Sequence, residues 1–192
     1  MAQNPANIHI GMARIFLNVT APATGTPPTL LTHTDGVPAT GTEVGYTKDA
    51  STFTYKQNKQ DVVAEQSLNP VDVFVVDEMA QLEFTAMEHV YNTLKTAFDN
   101  IGNVDDGSKT LFYAGDSSGL ISTTTQCVAL TSRIRTAPTK FEVLCMYRVY
   151  NVEGIVIGWQ RTAEATYKVT LKGLIDTTRN LGDRLFQFYR EK

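Results

Sequence analysis

Residues that carry chemistry are scarce in this chain. It has three histidines, two cysteines and one tryptophan among 192 residues, and charged side chains make up only 19%. His9, His33 and His89 lie far apart with no metal-ligand spacing. None of them sits in a nucleophile–base motif. Cys127 and Cys145 fall in two predicted strands, Thr125–Arg135 and Lys140–Tyr150. A simple hairpin through Thr136–Thr139 would set Cys127 opposite a residue near Arg148 rather than Cys145. The pair therefore reads as small buried hydrophobes, not as a disulfide. No apolar run approaches a membrane span. Met1–Gly11 lacks the basic start and apolar centre of a signal peptide, so the expectation is synthesis and assembly inside a cell, with no membrane partner. Basic clusters are also absent, and the net charge is −3, which argues against tight binding to phosphate. Gly115–Gly119 (GDSSG) lacks the Gly-Lys-Ser/Thr ending of a phosphate loop and reads as a turn. Asp77 and Glu78 are neighbours on a predicted strand and so point to opposite faces. Asp105-Asp106 falls in a turn. No catalytic, metal or cofactor residue is assigned, and the chain does not read as an enzyme.

What the chain has is apolar patterning. Hydrophobic residues at 42% suffice for one core, and residues 1–192 are expected to form one domain. The organising stretch is Pro70–Gly102. Val71, Val73 and Val75, then Leu82 and Phe84, follow a period of two and predict strand. Met87, Val90, Tyr91, Leu94 and Phe98, with Ala97 and Ile101, recur at helical spacing and predict a helix over 86–101 with that stripe in the core. Thr85 and Glu88 fit a capping box at its start, and Gly102 suits its end.

Around this stretch the sequence reads as an antiparallel meander. Ile8–Val19 is a strand whose pattern changes face near Gly11, which predicts a bulge. Ser51–Gln57 and Asp61–Gln66 read as two strands turned at Asn58-Lys59. Gln126–Arg135, Lys140–Tyr150, Ile155–Gln160 and Ala163–Lys172 are further strands. In Lys140–Tyr150, Phe141, Val143, Cys145, Tyr147 and Val149 share one face. In the last strand, Ala165, Tyr167, Val169 and Leu171 alternate with Thr166, Lys168, Thr170 and Lys172. A turn is expected at Asn180–Asp183. There is no internal repeat.

Thr20–Gly45 is a different material, rich in Thr, Pro, Gly and Ala and low in charge. It is too long for an ordinary connection. Two readings stand: a flexible surface loop, or an arm that orders against another subunit through Thr24, Thr26, Leu30, Leu31, Thr34, Val37 and Thr40. Charge is also uneven: residues 1–132 balance to −8 and residues 133–192 to +5. That is either scatter on solvated faces or sign complementarity between copies packed together.

The order of elements resembles that of bacteriophage tail tube (major tail) proteins. The residues that carry the resemblance are Val62-Val63-Ala64-Glu65-Gln66, Pro70–Val75, the single helix Met87–Phe98 and Gly173–Arg179 (GLIDTTR). It covers most of the chain, and no one motif is diagnostic alone. The resemblance implies a mainly β fold, a β-sandwich or barrel-like set of antiparallel sheets flanked by one α-helix, with a long extended loop. It implies hexameric rings whose inner sheets join into a β-barrel and which stack into a hollow tail tube. Partners would be further copies of the chain, a tape measure protein in the lumen, and tail terminator and baseplate proteins. Double-stranded DNA would pass without specific binding. The protein would be assembled in the host cytoplasm and located in the virion tail. Other expectations are a related ring of a baseplate, contractile inner tube or type VI secretion tube, or, from a different class, a monomeric β-sandwich binding module. The Thr-rich strands Ser51–Gln57 and Ala163–Lys172 are candidates for a lumen wall.

Overall fold

A computed structural model describes residues 13–26, 28–32, 36–63, 65–66, 69–88, 91–97, 102–105, 109–113, 126–134, 137–160 and 163–191. The strands, in chain order, are β1 (Ala13–Val19), β2 (Leu30–Thr32), β3 (Val37–Pro38), β4 (Thr42–Glu43), β5 (Thr52–Val62), β6 (Asp72–Ala86), β7 (Gly102–Asp105), β8 (Thr110–Tyr113), β9 (Gln126–Ile134), β10 (Ala137–Asn151), β11 (Ile157–Gln160), β12 (Ala163–Gly173) and β13 (Phe186–Arg190). One short helix, α1 (Tyr91–Ala97), lies between β6 and β7. The chain is mainly β. An antiparallel nine-stranded sheet runs β4-β1-β9-β10-β12-β6-β5, with β11 added to β12 and β13 to β10. β2–β3 and β7–β8 form separate two-stranded pairs.

The central strands are buried on both faces, which their near-continuous apolar runs require. One face of the sheet gathers Ile15, Leu17, Val128, Met146, Val149, Leu82, Phe84, Val169 and Leu171, with Ala97 of α1 and Val44. The other gathers Phe16, Val19, Cys127, Ala129, Phe141, Val143 and Cys145. Bulges decide which side chain joins which cluster. In β1 the register slips between Phe16 and Val19, where Asn18 is left-handed (φ 57°), so Val19 joins Phe16 rather than Leu17. The expected phase change near Gly11 lies outside the described residues. In β10 the slip between Met146 and Val149 carries Val149 to the face of Met146, away from Cys145, where strict alternation would have put it. Cys127 falls in that irregular stretch of the β9–β10 pairing. Both cysteines are free and buried.

The helix starts later than its periodicity predicts. Ala86 is still in β6, paired with Tyr167, and the Met87 amide donates to the Tyr46 carbonyl at 3.0 Å. Thr85 is a strand residue opposite Lys168, and the Glu88 carboxylate accepts from the Tyr46 amide at 3.2 Å, so the capping box does not form there. Strand pairing with β12 wins over local capping because it continues an existing ladder. Of the proposed stripe, Leu94 is half-buried against the core and Met87 precedes the helix. Val90 and Phe98 lie outside the described residues, as does the Tyr91 side chain. Asn151 does work that the pattern did not show: buried in β10, its side-chain amide donates to the carbonyl of Ala97 at 2.5 Å and of Gly154 at 2.9 Å, holding the last turn of α1 to the sheet.

Two substitutions separate sheet core from helix stripe. Leu82→Ala, at a side chain 1% exposed, should cost about 2–5 kcal/mol. Leu94→Ala should cost visibly less, because Leu94 is only partly covered. Denaturant midpoints with unchanged slope would check both; equal losses would mean that the helix carries as much core as the sheet.

Candidate assembly surfaces

β5 and β6 form one long hairpin rather than three strands. No turn occurs at Asn58-Lys59: neither residue takes the left-handed conformation that a tight hairpin needs, and both stay paired with β6. Pairing runs from Thr52 opposite Glu83 to Val62 opposite Asp72, and the Val71 amide closes the ladder on the Val62 carbonyl at 2.8 Å. The irregularity at that point is a bulge: Asn58 pairs with Asp77 and Lys59 with Val75, leaving Val76 unpaired.

Only the root of this hairpin lies over the body. There Phe53 and Tyr55 meet the ring of Phe186 edge-on, each at 5.1 Å between centroids. Beyond Gln57 and Glu78 both strands are exposed on both faces. The exposed part is nevertheless apolar: Val71, Val73, Phe74, Val75 and Val76 keep between 44% and 59% of their surface accessible. Alternation along β5 puts Lys59 and Asp61, opposite Val75 and Val73, on the side that faces the core nearer the root. The other side carries Phe74 opposite Gln60 and Val62 opposite Asp72. Among the described residues β5 has no partner on its outer edge over 11 residues, a template for pairing with another chain.

The outward face of β5, β6 and β12 is polar. It presents Thr52, Thr54, Gln81, Glu83, Thr85, Lys168 and Lys172, the register partners of one another. Lys168 is held between Glu83 at 3.1 Å and Glu153 at 3.8 Å, and the Glu83 bond keeps its ammonium protonated above the ordinary lysine range. The core side of the same strands buries Tyr167, whose hydroxyl donates to the Glu88 carbonyl at 2.8 Å; burial pushes that phenol up to about 12.

A rigid turn borders the hairpin root. Arg179, only 9% exposed, lies over the ring of Tyr147, its Cζ 3.4 Å from the centroid, and pairs with Asp176 at 3.4 Å and Asp183 at 3.2 Å. Its guanidinium also donates to the Pro22 carbonyl, and Gln187 donates to the Thr26 carbonyl at 2.7 Å. The Tyr147 hydroxyl donates to Asp183; burial first, then that bond, raises the phenol's pKa. The expected turn at Asn180–Asp183 is present, closed by the Asp183 amide on the Asn180 carbonyl at 3.1 Å. Between this turn and the hairpin root opens a cleft of about 600 Å³, lined by Tyr55, Gln57 and Glu78 on one side and Ile175, Leu181, Arg184 and Phe186 on the other. Leu181 is 85% exposed.

Thr20–Gly45 folds back on its own sheet. Leu30 and Val37 pack on Phe16, Cys145 and their neighbours, and Pro38 is buried. Gly36 is left-handed and lies so close to Phe141 that a side chain there would strike the ring. Thr24, Thr26 and Thr40 stay at the surface, with the Thr40 and Thr20 hydroxyls bonded at 2.9 Å. Thr34 and the Leu31 side chain lie outside the described residues. The loop encloses an uncharged cleft of about 420 Å³ between Val19–Ala23 and Pro28, Thr29, Ala39 and Thr40.

Among the described residues no group of three or more His, Cys, Asp or Glu is placed to hold a metal, and no helix is long and apolar enough to cross a membrane. The stretch Gly115–Gly119 also has the Gly-x-Ser-x-Gly spacing of a hydrolase nucleophile turn, which would need a histidine. That stretch and all three histidines lie outside the described residues. No family model and no curated protein matches the chain.

Two outcomes follow. Val73→Ser and Val75→Ser, where the side chains touch little, should each change unfolding free energy by under about 0.5 kcal/mol; a thermal melt followed by circular dichroism that drops sharply would show that the hairpin face is covered within one copy. The Asp176 carboxyl is held below its ordinary range chiefly by the Thr178 hydroxyl, then by the Thr178 amide and the nearby Arg179 and Arg148, with burial opposing. A depressed carboxyl stabilises the fold above its unfolded value, near 3.9, and that contribution is lost as pH falls through the folded value. Asp176→Asn should therefore flatten the acid limb of stability against pH; an unchanged limb would mean that the turn is not coupled to folding.

Proposed function

We propose that this is a structural, self-assembling ring protein of the phage tail tube type, whose copies join through the β5–β6 hairpin and the open β5 edge. The observation that carries the proposal is the hairpin's exposed half: Val71, Val73, Phe74, Val75 and Val76, interrupted only by Asp72, on a ladder that has left the body behind. Isolated two-stranded hairpins are marginal in water, so such a ladder gains its order by being covered. An 11-residue open edge beside it offers backbone pairing to the next copy.

The polar face of β5, β6 and β12 supports the conduit part of the proposal. A wall past which DNA slides should hold no phosphate tightly. Thr52, Thr54, Thr85 and Gln81 give that face hydroxyls and an amide, and of its two lysines Lys168 is already matched by two carboxylates. Pairing of β5 edge to sheet around a ring would turn this face to the lumen. The placement of Leu30 and Val37 on their own sheet moves the main contact from Thr20–Gly45 to the hairpin; Thr24, Thr26 and Thr40 remain available for contacts between rings.

Negative-stain electron microscopy across a concentration series tests the proposal. Rings or hollow tubes of uniform width should appear as concentration rises, and the double variant Val73→Lys, Val75→Lys should remain a folded monomer. Normal tubes from that variant would remove the hairpin from the interface.

A further inference from the structure

Resting on the self-assembly reading, we propose that the hairpin tip of one copy docks in the cleft between the hairpin root and the Ile175–Phe186 turn of the next copy. The occupant is a second copy of this chain, and three features of the two surfaces select it.

The first is the pleat. The side of the hairpin that carries Phe53 and Tyr55 over Phe186 continues past the body with Val75 and Val73, and among the described residues nothing beyond Phe186 covers them. The matching apolar surface is the far wall of the cleft, where Leu181 is 85% and Ile175 55% exposed beside Phe186. A two-stranded tip, with strands ~5 Å apart, suits an open cleft of about 600 Å³ better than a flat face does.

The second is charge. Residues 59–75 carry Asp61, Glu65 and Asp72 against Lys59 alone. The cleft wall carries Arg184, while Asp176 and Asp183 of the same turn are already paired with Arg179. Among the described residues the acidic group lining the cleft is Glu78, which already accepts hydrogen bonds from Tyr55 at 3.0 Å and Gln57 at 2.8 Å. An acidic tip is drawn to the turn side, where Arg184 stands.

The third is rigidity and symmetry. The turn is set by Arg179 against Tyr147, Asp176 and Asp183, so the receiving wall is ordered before the partner arrives. Tip and cleft are different surfaces of one molecule, and such a contact propagates from copy to copy, whereas two tips paired with each other would stop at a dimer.

Cysteine pairing tests this on the full chain, whose own Cys127 and Cys145 are buried. Variants Val73→Cys and Leu181→Cys are purified separately, mixed at assembling concentration and treated with diamide, which takes up the two protons and two electrons released as each disulfide forms. The expected result is a covalent dimer that needs both variants, with a ladder of higher oligomers from the double variant. Dimers from Val73→Cys alone, with none added by mixing, would overturn the contact in favour of paired tips. Leu181→Asp, which alters an exposed side chain, should raise the concentration needed for assembly roughly tenfold or more, as loss of an interface anchor does. Unaltered assembly of that variant would overturn the contact while leaving self-assembly standing, and absence of particles from the unmodified chain would overturn both.

Discussion

A β-strand can bury only the length that lies over its own core. β6 has 15 residues, and its register places Ala80, Leu82, Phe84 and Ala86 on the core while Asp72–Glu78 projects beyond it. The pleat runs unbroken along β5, while the bulge at Val76 shifts its phase in β6. In the proximal half it hides apolar side chains under Phe186 and the sheet; in the distal half it leaves Val73 and Val75 facing solvent. The exposed hairpin is thus the overrun of a core strand, apolar on both faces, with Val73 and Val75 on one and Phe74 on the other. The proposed assembly, the open edge and the docking cleft all depend on that overrun.

The body supplies the rigidity an interface needs. Bulges at Asn18 and before Val149 sort side chains into two clusters, so the central sheet is covered on both faces. One face is closed by α1, tied through Asn151, and the other by the folded-back Thr20–Gly45 segment, pinned by Arg179 and Gln187 at Pro22 and Thr26. The C-terminal turn thereby secures the loop on one side and forms the cleft wall on the other. Arg179 holds both together because a nearly buried guanidinium with an aromatic ring beneath it and carboxylates at its edges has one low-energy position.

Much of this was legible in the residues. β12 reads directly from Tyr167, Val169 and Leu171 against Lys168 and Lys172, because one face is core and the other water. β9, β10 and the Asn180–Asp183 turn are equally plain. What local pattern misses is set by partners far along the chain. Thr85–Glu88 looks like a helix start, yet β12 captures Thr85 and Ala86 as strand. Asn58-Lys59 looks like a turn, yet β6 continues across from it, with one bulge at Val76, and keeps β5 extended. The low charge of Thr20–Gly45 suggests a segment covered by another subunit, yet Leu30 and Val37 pack on the Phe16 and Phe141 cluster of the same chain, while Ala23–Thr26 and Ala39–Gly41 stay exposed. The candidate interface was visible only as the apolar run Val71–Val76, which reads as an ordinary core strand until the structure shows how far it extends past the core.

Hydrogen–deuterium exchange on the unmodified protein, below and above its assembly concentration, tests the central claim most directly. Amides of Lys56–Val62 and Val71–Asp77 should exchange fast when dilute and slow sharply when concentrated, while core amides around Leu82 and Val169 stay slow throughout. Hairpin amides equally fast at every concentration, in a sample where particles have formed, would contradict that claim, because the assembly would then leave the overrun uncovered.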